Sequence, residues 1–137
     1  MDLSTLDTSD LANQGAVMEL RSPTDGSPVL EDDGTPVTIT LLGADSDILT
    51  SVSNRQANRY LKNQARMNVT AELARSNEIE YLSKATVAWA GIGLDGETLA
   101  CTTENAAALY RRFPWALDQA RAFVADRANF SKASPKG

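Results

Sequence analysis

The alternation of apolar and polar positions is clearest in Val37-Thr38-Ile39-Thr40-Leu41-Leu42. Val37, Ile39 and Leu41 share one face of an extended chain, and Thr38, Thr40 and Leu42 share the other, so the period predicts a strand. Val17, Met18 and Leu20, interleaved with Glu19 and Arg21, predict a weaker strand upstream. Between them lie two clusters of turn formers, Ser22–Pro28 and Glu31–Pro36. Their Asp-Gly pair and prolines favour reversals and resist helix. The two strands are therefore expected to pair antiparallel, as a hairpin or short meander with an irregular acidic tip.

Gly43 ends the second strand, and Asp45 or Ser46 suits the N-cap of a helix. No Gly or Pro occurs from Ala44 through Trp89. The helix is expected to run from Ser46 to at least Arg66, with an interrupted apolar stripe at Ile48, Leu49, Val52, Ala57, Tyr60, Leu61 and Ala65. A second helix is expected over Val69–Lys84, carrying Leu73, Ile79, Tyr81 and Leu82. The break falls near Asn68 with Thr70 as a cap; one long bent helix is the alternative. Ala85–Ala90 then turns apolar and β-branched, and Gly91–Glu97 is a glycine-punctuated turn with Leu99-Ala100-Cys101 extended behind it. This predicts a second small hairpin with Asp95-Gly96 at its tip. Thr102 or Thr103 caps a helix over Asn105–Arg112, and Pro114 stops it or opens the next. That last helix is expected to reach from Trp115 to about Phe130, with Trp89 and Trp115 in the core. The fold class that follows is α+β: a mostly helical single domain over residues 16–130 with a small N-terminal antiparallel hairpin or meander and a second short hairpin. Residues 1–15 are expected to be a flexible acidic leader, and 131–137 a disordered polar tail.

Composition narrows the chemistry. The 137 residues contain no histidine and one cysteine, Cys101. That excludes Ser-His-Asp and Cys-His catalysis, imidazole ligation, an internal disulfide and any multi-thiolate metal centre. No apolar run approaches the ~20 residues of a membrane span, and Met1-Asp2-Leu3-Ser4 lacks a basic signal-peptide start. A soluble cytoplasmic protein is the expectation. Residues 1–50 hold ten acids against the single base Arg21, whereas residues 51–137 hold eight acids and twelve bases. A nucleic-acid binder would show a stronger basic excess.

Three sequence features could carry chemistry, and each has a plainer reading. Gly91-Ile92-Gly93-Leu94-Asp95-Gly96 matches a loose G-x-G-x-x-G string, but no helix opens directly after it, so a hairpin turn is the better reading. Glu31, Asp32, Asp33 and Asp45 lack the alternating spacing of a calcium loop and read as solvated acids. Cys101 precedes a helix start but reads as a small core residue. No catalytic, cofactor-binding or metal-binding residue is assigned. The candidate partner-binding residues are Arg55, Arg59, Lys62 and Arg66, spaced four, three and four apart and therefore on one helical face.

The order of features adds one more indication. Thr38–Gly43 leads directly into Ala44-Asp45-Ser46, and the helix that follows carries Asn54-Arg55-Gln56-Ala57-Asn58-Arg59. Val87-Ala88-Trp89, Gly96-Glu97 and Thr103-Glu104-Asn105 come next, and Phe113-Pro114-Trp115, Gln119–Val124 and Ala128-Asn129-Phe130 close the series. In this order the chain resembles, over roughly Ala16 to Phe130, the small tail assembly chaperones of long-tailed bacteriophages and prophages. The resemblance implies a protein without enzymatic activity or cofactor that coats the tape measure protein in the host cytoplasm. Such a protein keeps its client soluble, recruits tail tube subunits and is left out of the finished particle. Many members are made in two lengths by frameshifting, and a chain of this length fits the short form. The acidic leader before Ala16 and the double turn Ser22–Pro36 depart from the pattern. A homo-oligomer is open, and neither a membrane nor a nucleic acid is expected as partner. The alternatives are a structural virion component, such as a head–tail connector or minor tail protein, and then a nucleic-acid-associated regulator.

Overall fold

The computed structural model describes residues 1–63 and 70–131. Helices dominate a mixed α+β arrangement with two small antiparallel sheets. In chain order the regular elements are α1 (Ser9–Gln14), β1 (Ala16–Glu19), β2 (Thr38–Leu41), α2 (Asp47–Lys62), α3 (Ala71–Ala85), β3 (Thr86–Ala90), β4 (Gly93–Leu94), β5 (Glu97–Thr98), α4 (Thr103–Arg112) and α5 (Pro114–Ala125). Short 3-10 turns occupy Leu3–Leu6 and Arg127–Phe130.

The main sheet has the order β1-β2-β3. β1 pairs with β2 as the alternation requires, with Met18 opposite Ile39 and Ala16 opposite Leu41. Ile39 and Leu41 are fully buried on the helix-facing side, while Thr38 and Thr40 lie on the open face. The second hairpin forms with Asp95-Gly96 at its tip as expected, but with other strands than expected. Thr86–Ala90 does not fold back on Leu99–Cys101; it joins β2 as a third antiparallel strand, with Trp89 opposite Ile39. The hairpin that does form is the short β4–β5 pair, where Asp95 (φ 54°) and Gly96 (φ 86°) supply two consecutive positive φ values. The strand preference of Thr86–Ala90 is met by β2, which offers a buried neighbour instead of a solvated turn.

Side-chain oxygens start the main helices. The hydroxyls of Ser46, Thr70 and Thr102 accept from the amides of Leu49, Leu73 and Asn105, closing the first turns of α2, α3 and α4. Pro114 occupies the first turn of α5, where no amide hydrogen is needed. α2 stops at Lys62 with Asn63 as its C-cap, short of the expected Arg66; Arg66 and the expected break near Asn68 fall outside the described residues. α5 also stops early. Asp126 leaves the helical region (φ −88°, ψ 102°) and turns its carboxylate onto the amide of Ala128, starting a 3-10 turn instead of extending the helix to Phe130. The Phe123 carbonyl accepts from the Asp126 amide at 3.3 Å and from the Asn129 side-chain Nδ2 at 3.0 Å, while the Asn129 backbone amide donates to the Asp126 carbonyl.

Met18, Ile39, Leu41, Leu49, Ile79, Leu82, Leu109, Tyr110, Leu117 and Val124 belong to one buried cluster between the sheet and the helices. α3 is the central helix and packs against α2, α4 and α5. Trp89 and Trp115 pack against this cluster only half-buried, so neither is the core residue expected. Trp89 is held at the edge because its indole nitrogen donates to the Leu99 carbonyl at 2.8 Å. Within residues 1–15, Ala12 is buried and its carbonyl accepts from the Gly43 amide at 3.0 Å. No helix among the described residues is long and apolar enough to cross a membrane. The expected tail over 131–137 lies outside them apart from Ser131.

Candidate partner-binding face

α2 changes character along its length. Leu49 and Val52 are buried, but beyond Val52 only Gln56 is partly covered. The stripe foreseen at Ala57, Tyr60 and Leu61 does not reach the core; Leu61 is 63% exposed. The first half of α3 is similarly open up to Ile79. The far part of α2 therefore presents both apolar and basic side chains.

The candidate basic residues have different surroundings. Arg59 is committed to α3: its Nη2 lies 2.9 Å from Glu80 Oε1. Gln56 Nε2 donates to the same oxygen at 2.9 Å and to the Asn77 carbonyl at 2.8 Å, making a polar clamp between the helices. The Gln56 bond, then that of Arg59, holds the Glu80 carboxyl below its ordinary range, and the positive field of Arg55 adds to it. Arg55 is exposed beside a shallow depression bordered by Ile48, Ser51 and Lys84. Lys62 is exposed in the last turn, and Arg66 lies outside the described residues. Helical spacing placed Arg55, Arg59 and Lys62 close together around α2 but gave no sign of Gln56 and Glu80, whose roles depend on which side of α2 meets α3.

A second polar node ties the chain ends together. Asp45, just before α2, accepts from Arg127 Nε at 2.7 Å and Nη2 at 3.0 Å, and from the Thr8 hydroxyl. The Arg127 and Thr8 hydrogen bonds hold the Asp45 carboxyl down at about 2. The sign follows from that depression: the stabilisation is complete above the ordinary carboxylate range and is lost as pH falls through about 2. Arg127 is 68% exposed, so solvent screening keeps the pair's contribution small. Asp45→Asn should lower global stability by no more than ~1 kcal/mol. It should also speed limited proteolysis between Leu3 and Gly15, which peptide mapping would read; an unchanged cleavage rate would show that Asp45 does not retain the N-terminal segment.

Asp33, Cys101 and the Gly91–Gly96 run serve the fold. Asp33 spends its carboxylate on its own turn, accepting from the Thr35 amide at 3.0 Å and hydroxyl at 2.7 Å. Burial pushes the Cys101 thiol up, away from the reactive thiolate. Gly91–Gly96 forms the β4–β5 turn, and β5 follows it where a phosphate-binding loop needs a helix. No group of three or more acidic or cysteine side chains among the described residues is placed to hold a metal ion. Comparison with family models, with curated proteins and with solved structures finds no match for this chain in any of the three.

Proposed function

We propose that this chain is a non-enzymatic tail assembly chaperone. It binds and solubilises the tape measure protein in the host cytoplasm, helps recruit tail tube subunits and stays out of the mature virion. One observation carries the reading: beyond Val52, α2 exposes Tyr60 and Leu61, and its exposed cations Arg55 and Lys62 form no ion pair among the described residues. A long helical client has apolar stripes that need covering and charges that need matching. The exposed far half of α2 offers both, with its basic and its apolar side chains on different sides of the helix, since apolar contact supplies affinity and complementary charge steers encounter. The resemblance over Ala16–Phe130 supports the same reading.

The double variant Arg55→Gln/Lys62→Gln should melt within ~0.5 kcal/mol of the parent, since both side chains are solvated. Its association with purified tape measure protein should slow severalfold at low salt and lose most of its salt dependence. Stopped-flow rates across ionic strength test this, and an unchanged salt slope would remove the basic face from the binding event. Mass spectrometry of purified particles tests the wider reading. Stoichiometric recovery of this chain would instead make it a structural virion component.

A further inference from the structure

A small apolar cavity of about 190 Å³ opens between α4, α5 and the loops around β1 and β4. Leu20, Val37, Ile92 and Leu109 form its buried floor, and Phe113 and Trp115 stand half-buried at its mouth. It exceeds the ~150 Å³ that accepts benzene in a protein interior, so one large apolar side chain fits. Its neighbour is of opposite character. Gly91, Ile92 and Gly93 are also the floor of an adjoining notch of about 310 Å³ whose walls include Glu31 and Glu97. Neither carboxylate forms an ion pair among the described residues.

The glycines hold this juxtaposition in place. Gly91 has φ +81°, which favours glycine, and its missing Cβ leaves room for the Glu31 side chain, whose carboxyl carbon would lie 2.8 Å from a Cβ there. A Cβ on Gly93 would meet the Glu97 carbonyl oxygen at 2.8 Å. The one Thr35 hydroxyl hydrogen goes to Asp33 at 2.7 Å, so it leaves Glu31 Oε2, 3.0 Å from the same oxygen, free to accept from a partner. On the far rim, Arg112 is already occupied, lying over Phe113 and paired with Asp95. The side of the cavity nearest Gly91 is thus the one that presents uncompensated negative charge.

We propose that this composite site docks a segment of a partner protein carrying an aromatic or large aliphatic side chain next to a lysine or arginine. The apolar side chain fills the Phe113–Trp115 cavity, and the cation sits between Glu31 and Glu97. This surface is distinct from the α2 face and does not depend on the chaperone reading. Charge complementarity decides the occupant, since an acidic neighbour would be repelled and a purely apolar segment would leave the notch unused.

The experiment is a titration of the ¹⁵N-labelled full chain with acetyl-Ala-Phe-Lys-Ala-amide, acetyl-Ala-Phe-Glu-Ala-amide and acetyl-Ala-Ala-Lys-Ala-amide. The Phe-Lys peptide should saturably shift the Trp115 indole signal and the amides of Ile92–Leu94. It should bind about fivefold tighter than the Phe-Glu peptide, the scale of an exposed ion pair. The Ala-Lys peptide should not saturate. In Glu31→Gln/Glu97→Gln, both positions being exposed and harmless to folding, the Phe-Lys preference should vanish while apolar binding remains. Equal binding of the first two peptides, shifts centred on another surface, or no saturation by any peptide would overturn the proposal. So would displacement of the peptide by self-association of the chain, which would make a second copy the occupant.

Discussion

Replacing Tyr110 by alanine is expected to cost about 3–5 kcal/mol, the largest loss for any single side chain in this fold. Tyr110 is fully buried and heads the largest such side chains, so truncation leaves a cavity where β3, α3 and α4 meet. Its hydroxyl lies 2.7 Å from Thr86 Oγ1, and Thr86 Oγ1 donates to the Leu82 carbonyl at 2.8 Å. Thr86 has only one hydroxyl hydrogen, so the Tyr110 O–H is the donor in the shared bond. Tyr110→Phe keeps the ring and the Thr86–Leu82 bond and should therefore cost only ~1 kcal/mol. Urea denaturation of both variants separates packing from hydrogen bonding, and equal losses would contradict the assignment.

The same residue gives the fold an alkaline limit. Burial pushes the Tyr110 phenol up to about 12 from an ordinary 10.0. The unfolded chain loses this proton near 10.0 and the folded chain holds it to about 12. Stability is full below the lower value and falls as pH rises between the two, by roughly 2–3 kcal/mol. Tyr110→Phe should flatten most of that slope. A residual slope remains from Tyr81, whose phenol is also raised by burial.

What could be read from the sequence was local, and what escaped depended on distant partners. Alternation through Val37–Leu42 located β2, and the polar residues before the apolar runs located the Thr70 cap and narrowed the others to Asp45 or Ser46 and Thr102 or Thr103, of which Ser46 and Thr102 cap. Both signals act within about one turn or one strand. The pairing of β3 with β2 joins segments separated by two helices, and the glycine turn at Gly91–Gly96 offered a nearer but incorrect partner. The candidate site divides in the same way. Spacing placed Arg55, Arg59 and Lys62 on one side of α2, whereas the rotation of α2 against α3 took Arg59 for Glu80 and left Tyr60 and Leu61 exposed. The Phe113–Trp115 cavity left no periodic signal, because its walls come from five separated stretches of chain.

Gly43 is where the N-terminal helix becomes part of the packing, and enlarging it should have the second-largest effect. A Cβ at Gly43 would lie 2.8 Å from the Ala12 Cβ and 2.9 Å from the Phe130 Cγ. Both neighbours are buried, and Phe130 is fixed edge-on against Phe123 with ring centroids 5.7 Å apart. Neither can withdraw without moving backbone, because the Gly43 amide donates to Ala12 and the Gly43 carbonyl accepts from Ser46, the cap of α2. Overpacking of this kind costs ~1–3 kcal/mol, so Gly43→Ala should fall near the lower figure and Gly43→Leu near or above the upper. The expected relief is release of α1, whose buried anchor is Ala12 alone. Protease sensitivity before Gly15 should therefore rise faster than the melting temperature falls. Ala12→Gly combined with Gly43→Ala removes one of the two clashing atoms and should recover part of the loss, giving a coupling energy of ~0.5–1 kcal/mol in a double-mutant cycle. If the two substitutions are simply additive, α1 does not rest on Gly43, and the N-terminal segment contributes nothing to this junction.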